Sequence, residues 1–318
     1  MSNPRLSIVI RCYNEEEHIG RLLKGVFEQT LQDFEVILVD SGSTDQTLAI
    51  ASQFPARTVH IKKEDFSFGR SLNLGCEAAR GEILVFASAH VYPVYTDWLE
   101  RLTAPFDDTN VALSYGKQRG NHVTKYSEHM IFKRWFPDEN ADSQSHPFCN
   151  NANAAIRKSW WEKHRYDETV TGLEDLDWAK RVMAGAGRIA YVADAEVIHV
   201  HSETYGHIYN RYRREAIALK RIFPEERFSL WDFGRLLIGN TFSDYYHAAR
   251  EGVFFKNIRS IPLFRLMQFW GTYRGYSQRG PVSQQLRQTF YYPNGLPGAI
   301  PRVEAAHART RIEYGAES

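Results

Sequence analysis

The sequence predicts an α/β protein with a mainly parallel sheet covered by helices on both faces, followed by a helical C-terminal extension. Short apolar runs alternate with segments of helical periodicity through the first half of the chain. Polar residues follow the apolar runs directly, as they do where parallel strands end at a binding crevice. Beyond Glu203 the pattern changes to long, aromatic and basic helical stretches. The length of 318 residues suits two domains, which we place at residues 1–204 and 205–318.

Each element of the first half follows from the spacing of its apolar residues. Strands are predicted at Leu6 to Ile10, Val36 to Val39, Thr58 to Ile61 and Ile83 to Ala87. Helices are predicted at Glu15 to Thr30, at Thr44 to Phe54 with Ser43 or Thr44 as cap, and at Gly69 to Arg80 before Gly81. This spacing requires right-handed crossovers, which align the strands in parallel.

Composition and total charge exclude several classes of protein. Hydrophobic residues make up 43% and charged residues 24% of the chain, which is typical of a soluble globular protein and not of a disordered one. A total charge of +1 argues against nucleic-acid binding. The three cysteines, Cys12, Cys76 and Cys149, lack the spacing of a disulfide framework or zinc knuckle. No signal peptide or run of about 20 apolar residues is present, so we expect a reduced cytoplasmic protein.

The C-terminal third differs sharply in charge from the rest of the chain. Between Tyr205 and Phe290 there are 14 Lys and Arg against 6 Asp and Glu, which leaves −7 for the remainder. Arg211 to Arg214 and Val253 to Arg279 are predicted to form amphipathic helices with cationic flanks. A packed helical subdomain, an anionic membrane surface and an oligomer contact all remain open for this region. Pro301 to Ser318 is predicted to be a short helix or a frayed end.

Polar segments follow three of the predicted strands, and they are the first candidates for a binding site. They are Arg11 to Glu15, Asp40 to Asp45, and Ser88 to His90. None is a Gly-rich dinucleotide or phosphate-loop fingerprint, which disfavours a nicotinamide enzyme and a P-loop ATPase. Asp40 can accept hydrogen bonds from a ribose or a base, or can simply stabilise a turn. His90 is either a metal ligand or a hydrogen-bonded structural histidine.

A second polar cluster, Glu174 and Asp175, begins a predicted helix with an apolar stripe from Leu176 to Met183. Carboxylates at a helix N-terminus are stabilised by the helix dipole, which is a sufficient structural reason for one of them. Adjacent acids beside a nucleotide site also suit a general base. The residues alone leave both interpretations open.

Two further histidines, His199 and His201, follow a predicted strand from Ala195 to Ile198. We expect strand alternation to place their imidazoles on opposite faces. They are therefore predicted not to bind one metal together, although one of them can join His90.

These segments, taken in order, resemble the family 2 glycosyltransferases over Leu6 to Thr204. Members have the GT-A fold, a Rossmann-like, mixed and mainly parallel sheet, and are inverting enzymes that use nucleotide-diphospho sugars. The matching segments are Ser7 to Glu15, Ile37 to Asp45, Gly69 to Gly75 with Ala79 to Glu82, Asn151 to Arg157, and Glu174 with Asp175.

The chain departs from this family at the metal motif. Most members carry Asp-x-Asp where this chain has Ser88-Ala89-His90. A subgroup similar to rhamnosyltransferases of polysaccharide assembly has Ser-Ala-His together with a segment like Tyr115-Gly116-Lys117-Gln118. The resemblance implies a divalent cation, Mn²⁺ or Mg²⁺, near His90 and His199. The loss of two carboxylate ligands also leaves room for compensation by Lys or Arg.

The resemblance also implies roles for individual residues. Asp175 would be the catalytic base, and Glu174 would bind or orient the acceptor. The implied nucleotide-binding residues are Arg11, Tyr13, Asn14, Glu15, Asp40, Ser41, Arg70, Asn73, Ser88 and Ala89. The implied acceptor-binding residues are Asn151, Asn153 and Trp178.

The predicted function is transfer of a sugar from a nucleotide-diphospho-sugar to a hydroxyl of a saccharide or lipid-linked acceptor. We expect it to serve cell-surface polysaccharide assembly in the cytoplasm, at the inner face of the membrane if the basic region binds lipid. A homo-oligomer is also open. A non-catalytic sugar-nucleotide-binding paralogue is an alternative, suggested by the altered metal motif and opposed by the Glu174-Asp175 pair. A nucleotidyltransferase is weakened because no Gly-rich cationic loop follows the first strand.

Overall fold

The computed structural model describes residues 3–62, 65–277 and 309–314. Its centre is an eight-stranded mixed sheet in the order β3-β2-β1-β4-β7-β6-β8-β5. The strands are β1 (Leu6–Cys12), β2 (Phe34–Asp40), β3 (Ala56–His60), β4 (Ile83–Ser88), β5 (Val91–Pro93), β6 (Val111–Arg119), β7 (Asn153–Arg157) and β8 (Arg188–His199). The helices are α1 (Ile19–Phe27), α2 (Thr47–Ala51), α3 (Phe68–Ala78), α4 (Trp98–Thr103), α5 (Tyr126–Trp135), α6 (Lys158–Lys163), α7 (Glu174–Ala184), α8 (Tyr205–Ile222), α9 (Leu230–Arg250), α10 (Phe254–Asn257) and α11 (Ser260–Tyr276).

The first four strands form the parallel half of the sheet, as predicted. β1 pairs in parallel with β2 and β4, and β2 pairs in parallel with β3. In this register Cys12 lies beside Asp40, and Arg11 lies beside Ser88. The polar segments that follow β1, β2 and β4 therefore meet at one edge of the sheet, as the carboxyl ends of parallel strands must. The predicted α/β class is confirmed.

The other half of the sheet brings the end of β8 to the same edge. β7 pairs antiparallel with both β4 and β6, and β6 pairs in parallel with β8. β5 pairs antiparallel with β8, with Val91 opposite His199. The backbone N–H of Val200 then donates to the carbonyl of His90 at 3.0 Å. The turn after β4 is thus fixed next to the last residue of β8.

Helix α2 is shorter than predicted, and the predicted cap by Ser43 or Thr44 is wrong. Both residues bond to Asn14 in the neighbouring turn. The Asn14 N–H donates to Ser43 Oγ, and the Thr44 N–H donates to Asn14 Oδ1. The helix begins at Thr47, whose N–H donates to Asp45 Oδ1 at 3.0 Å. The turns after β1 and β2 are tied together as a result.

The C-terminal helices pack on the sheet domain through α7 and on each other through α11. Leu176 of α7 shares a buried cluster with Phe228, Phe269 and Tyr276. Helix α11 approaches α8 so closely that a Cβ at Gly271 would lie 2.4 Å from the carbonyl oxygen of Tyr209. Only glycine fits at that crossing, which fixes the position of α8.

The segment predicted as an amphipathic helix from Val253 to Arg279 is broken into α10 and α11, and residues 278–279 lie outside the described residues. Its charges are not all solvated. Arg265 is 1% exposed and donates to both carboxylate oxygens of Asp244, at 2.8 and 2.9 Å. This region is therefore partly a packed helical layer, held internally by a buried ion pair.

The end of the chain returns to the sheet domain. Of the predicted terminal helix or frayed end, residues 301–308 and 315–318 lie outside the described residues. Residues 309–314 are extended instead: the Ile312 N–H donates to the Val94 carbonyl, and the Thr96 N–H donates to the Thr310 carbonyl, both at 3.0 Å. Arg309 pairs with Asp97 at 2.9 Å. Among the described helices, none is long and apolar enough to cross a bilayer.

Candidate active site

A cavity of about 610 Å³ opens at the edge where β1, β4 and β8 end. Its wall is built by the turns after these strands, the start of α7 and one side of α8. Its lining includes Arg11, Glu15, Phe68, Ser88, His90, Asn151, Glu174, Asp175, His199, His201, Glu203, Arg211 and Arg214. The cavity therefore combines residues from both predicted parts of the chain.

The acidic pair begins α7 as predicted, and its two carboxylates have different surroundings. Leu173 precedes it with a positive φ of 55°, a strained conformation for a branched residue that is most often kept at functional sites. Glu174 accepts from Arg11 Nη1 at 3.1 Å, so its charge is paired. Asp175 accepts backbone N–H bonds from Asn151 at 3.0 Å and Leu176 at 2.8 Å.

Asp175 has the electrostatics of a general base. Burial, followed by the charge of Glu174, raises the pKa of Asp175 to about 7. A carboxyl in ordinary surroundings is fully ionised at neutral pH and is a weak base. Near 7 it is ionised often enough to act, and basic enough to remove a hydroxyl proton as a bond forms.

Two arginines flank the ring of Phe68 at the mouth of the cavity. The guanidinium of Arg11 lies 5.1 Å from the ring centre, and that of Arg214 lies 4.7 Å from it. Arg11 is also held by Glu174, whereas the Arg214 side chain has no carboxylate partner among the described residues. An arginine that is exposed, oriented by stacking and free of a counter-ion suits an anionic ligand.

Three histidines meet on the opposite wall, which corrects the prediction for His199 and His201. Ring nitrogens of His90, His199 and His201 all lie within 4.8 Å of one another. The Nε2 atoms of His199 and His201 are 2.9 Å apart. The prediction of opposite faces was wrong because residues two apart in an extended chain share a face, while adjacent residues alternate.

The Nδ1 atom of each of these three histidines has an oxygen partner. His90 pairs with Glu15 Oε1 at 2.9 Å, His199 with Gln118 Oε1 at 2.7 Å, and His201 with Glu128 Oε1 at 2.7 Å. If each Nδ1–H donates to its oxygen partner, each neutral ring keeps its lone pair on Nε2. Burial, and then the nearby His201 and His90, lowers the pKa of His199, which keeps its ring neutral.

This arrangement fits a cation. Two Nε2 lone pairs at 2.9 Å repel each other unless a proton or a metal ion lies between or beside them. Three convergent nitrogens with oxygen partners on their outer sides are the usual composition of a histidine metal site. The possible metal ligands here are histidine ring nitrogens, whereas an Asp-x-Asp motif would offer two carboxylates.

Arg211 supports the histidines and is not a solvated cation of an amphipathic flank, as the sequence had suggested. Its Nη2 lies 2.7 Å from both Glu128 and Glu203. Burial alone would raise the pKa of Glu128, but Arg211 and His201 lower it to about 2. A permanently charged Glu128 orients the His201 ring from behind.

Asp40 and Ser41 have structural partners at the end of β2. The Asp40 carboxylate accepts from the Gly42 N–H at 3.0 Å and the Ser43 N–H at 3.1 Å. The Ser41 hydroxyl donates to the Cys12 carbonyl at 3.2 Å. Asp40 thus stabilises the turn, which is one of the two roles expected for it. Its contact with a nucleotide stays a prediction.

The remaining residues of the first turn lie at the same edge. Tyr13 is 41% exposed, and Asn14 adopts a left-handed conformation with φ of 52°. Ser88 lines the cavity, while Ala89 is buried beneath it. These placements are compatible with the expected nucleotide contacts and leave them as predictions.

Four of the nine expected binding residues that are absent from the cavity lining are buried or bonded within the protein, and their binding roles stay predictions. Asn153 accepts from the Trp98 indole and donates to the Ala195 carbonyl. The other three are Asn73, which bonds to Tyr166, Trp161 and Glu168; Arg70, which pairs with Glu168; and Trp178, which is fully buried. Asn151 does line the cavity and bonds to Asp175 through its backbone.

Sequence reasoning missed several residues of the site. Correct strand periodicity would have predicted His201 beside His199. The run from Arg211 to Arg214 was interpreted only as the cationic flank of a helix, not as part of a site. Phe68 and Glu203, which line the cavity, and Glu128, which bonds to His201 behind it, had no local signal, because tertiary contacts place them there.

The sequence is similar to known proteins. A model described as glycosyl transferase family 2 matches residues 7–165. The O-antigen chain rhamnosyltransferase RfbN of Salmonella typhimurium is 25% identical over 221 residues, 65% of this chain and 70% of that protein. The O-antigen chain rhamnosyltransferase WbaN of Salmonella anatum is 28% identical over 222 residues, 66% of this chain and 70% of that protein.

A solved structure shares the fold. The mannosyltransferase PcManGT from Pyrobaculum calidifontis, in complex with GDP-Man and Mn²⁺, aligns with a TM-score of 0.58 at 19% identity. The alignment covers 87% of this chain and 85% of that one. Since the family model spans half of the sequence and the predicted GT-A fold is confirmed, this chain belongs to glycosyl transferase family 2.

Proposed function

We propose that the protein transfers a sugar, with inversion, from a nucleotide-diphospho-sugar to a hydroxyl of a saccharide or lipid-linked acceptor. The observation that carries the proposal is Asp175, a buried carboxyl with a pKa raised to about 7, at the wall of a 610 Å³ cavity. The rhamnosyltransferase relatives support an acceptor in cell-surface polysaccharide assembly.

Asp175 acts as the base in this scheme. Its carboxylate takes the proton of the acceptor hydroxyl while that oxygen bonds to the anomeric carbon of the donor. The bond between the anomeric carbon and the diphosphate oxygen breaks, and the electron pair leaves with the nucleoside diphosphate. Attack opposite the leaving group inverts the configuration. The N–H bonds from Asn151 and Leu176 hold the Asp175 carboxylate in place.

The cationic side chains serve the leaving group. Arg214 has a free guanidinium at the cavity, and Arg11 is fixed beside it by Glu174 and Phe68. Oriented positive charge stabilises the developing diphosphate more in the transition state than in the bound substrate. Glu174 keeps Arg11 in position and lies next to Asp175, where it can orient the acceptor.

We assign the divalent cation site to His90, His199 and His201. A bound ion would supply charge neutralisation to the departing diphosphate. Nitrogen ligands favour a transition ion such as Mn²⁺ or Zn²⁺ over Mg²⁺, which prefers oxygen. Glu15, Gln118 and Glu128 hold the three rings from their Nδ1 sides.

Substitution of the base tests the proposal. Asp175→Asn removes the proton acceptor but keeps the side-chain shape, so we expect transfer to fall at least about a hundredfold while nucleotide binding persists. Asp177→Asn is the matched control, because Asp177 lies on the same first turn and pairs with Arg181 at the protein surface. Near wild-type turnover in Asp175→Asn would overturn the assignment.

A further inference from the structure

Helix α9 exposes large apolar residues along one side and buries three polar residues on the other. Trp231 is 76% exposed, Phe242 67% and Ile238 59%, and they lie along one side of the helix with Tyr246. A surface helix of a globular protein normally shows the opposite arrangement. This inversion requires an explanation.

The buried side of α9 combines three polar residues with Leu236 and Ala248, and two of the polar residues bond to neighbouring helices. It consists of Asp232, Leu236, Asn240, Asp244 and Ala248, spaced every four residues. Asp244 accepts from Ser127 at 2.6 Å and pairs with Arg265, and Asn240 accepts from Arg134 at 3.3 Å. Because these bonds fix the rotation of the helix, its apolar side cannot turn inward without leaving buried charges unpaired.

Large apolar residues are also exposed after α9, on α10 and up to the start of α11. Phe255 is 86% exposed, the highest value among the exposed large hydrophobic residues of the described chain. We call this surface the apolar face. It comprises Leu230, Trp231, Ile238, Phe242, Tyr246, Phe255, Ile258 and Leu263. Exposed apolar residues in this number on one segment mark an interaction site.

Positive charge surrounds the apolar face. Arg227, Arg235, Arg250, Lys256 and Arg259 are exposed along the same segment. Between residues 227 and 263, all of them described, Glu251 is the one exposed acid, and it already pairs with Lys133 at 3.0 Å. The partner must therefore be apolar in its interior and negatively charged at its surface.

A second cavity extends this positive surface. It has a volume of about 550 Å³, and its lining includes Lys125, Lys133 and Lys256, with Glu251 as the one acid. Lys256 lines this cavity and follows Phe255 directly in sequence. An anionic head group would find cations there.

The charge pattern separates a membrane from a second copy of the chain. A two-fold dimer through the apolar face would bring the cationic segments of both copies together, and the exposed acids described nearby are only Glu225 and Glu251, of which Glu251 is already paired with Lys133. An anionic bilayer supplies apolar depth and negative charge together. We propose that the apolar face docks on an anionic lipid bilayer, with α9 lying in the plane of the interface. This inference does not depend on sugar transfer.

Vesicle flotation of the full chain tests the proposal. Phosphatidylcholine vesicles with and without phosphatidylglycerol are compared at low and high salt. We expect binding only to the anionic vesicles and a decrease with salt, since exposed charges are screened. Trp231→Ser combined with Phe242→Ser and Phe255→Ser removes the apolar contacts, and Lys256→Glu with Arg259→Glu reverses the nearby charge. Each set is expected to weaken binding by roughly tenfold or more.

The controls keep these outcomes distinct. Lys163→Glu alters an exposed cation of α6, far from the apolar face in sequence and on another element, and is expected to bind as wild type does. Unchanged melting temperatures and nucleotide binding show that the variants fold. Absence of flotation by the wild type at low salt, or flotation that the apolar substitutions leave unchanged, would overturn the proposal. So would a dimer in light scattering that the same substitutions dissociate.

Discussion

Asp175 and Glu174 are adjacent in sequence, yet their environments give them different chemistry. Glu174 is held by Arg11, while Asp175 is buried against backbone amides and has no ion pair with a cation of the described residues. The sequence left a structural and a catalytic interpretation of this pair open. The raised pKa of Asp175 favours the catalytic one, because a purely structural N-terminal carboxylate is stabilised in its charged form.

The same raised pKa predicts a pH-dependent stability change. The pKa of Asp175 is raised from 3.8 to about 7 by folding, so its contribution to stability is lost as pH rises through that range. Asn does not titrate. We therefore expect Asp175→Asn to gain roughly 2 kcal/mol in free energy of unfolding relative to wild type between pH 5 and pH 8. Denaturant unfolding of both proteins at pH 5 and pH 8 measures this gain. If the difference in free energy of unfolding between variant and wild type did not change with pH, the raised pKa of Asp175 would be contradicted.

The three histidines predict selective binding of transition ions. After chelation, Mn²⁺ or Zn²⁺ is expected to raise the melting temperature more than Mg²⁺ does, because the donors are nitrogens. His201→Ala should abolish most of that increase. His207→Ala serves as control, since His207 is exposed on α8. Equal stabilisation of wild type and His201→Ala by all three ions would show that the cluster is only a hydrogen-bond network.

At the scale of elements, the position of α8 determines the cationic side of the cavity. Arg211 and Arg214 project from this helix, which α11 contacts at Gly271 and Gly275. A Cβ at Gly275 would lie 2.6 Å from the Arg213 carbonyl oxygen. The close crossing thus connects a packing requirement to the placement of functional arginines.

A single methyl group tests this connection. Gly271→Ala forces α11 away from the backbone of α8, so we expect a loss of about 1–3 kcal/mol in stability together with weaker nucleotide binding. Gly239→Ala on α9 is the matched control, because nothing lies within 4 Å of its Cβ position. That control should be neutral or stabilising, as alanine favours helix. Wild-type melting and nucleotide binding in Gly271→Ala would disprove the link.

Local patterns explain which elements could be predicted. β1 to β4 and α1 to α3 follow from periodicity within one segment, and their parallel order follows from crossover geometry. β6 and β7 were not predicted because their pairing depends on distant segments. Thr44 was expected to cap α2, but a tertiary bond to Asn14 occupies it instead. The inverted faces of α9 could not be foreseen, since Asp244 is buried only by virtue of Arg265.

For the whole molecule, the charge of +1 is a sum of two unlike parts. The basic C-terminal third divides its cations between two surfaces. Arg211 and Arg214 face the cavity, whereas Lys256 and Arg259 border the apolar face. Helix α8 therefore completes the site of the sheet domain, and α9 with α10 presents the surface proposed for lipid.

The central claim is that the cavity binds a nucleotide-diphospho-sugar. The most direct measurement is the melting temperature of the full chain with UDP-, GDP-, CMP- and dTDP-linked sugars, with and without Mn²⁺, because a ligand of the native state raises it. We predict a concentration-dependent increase with at least one of them, reduced in Arg214→Ala and retained in His207→Ala. No increase with any nucleotide sugar would contradict the account.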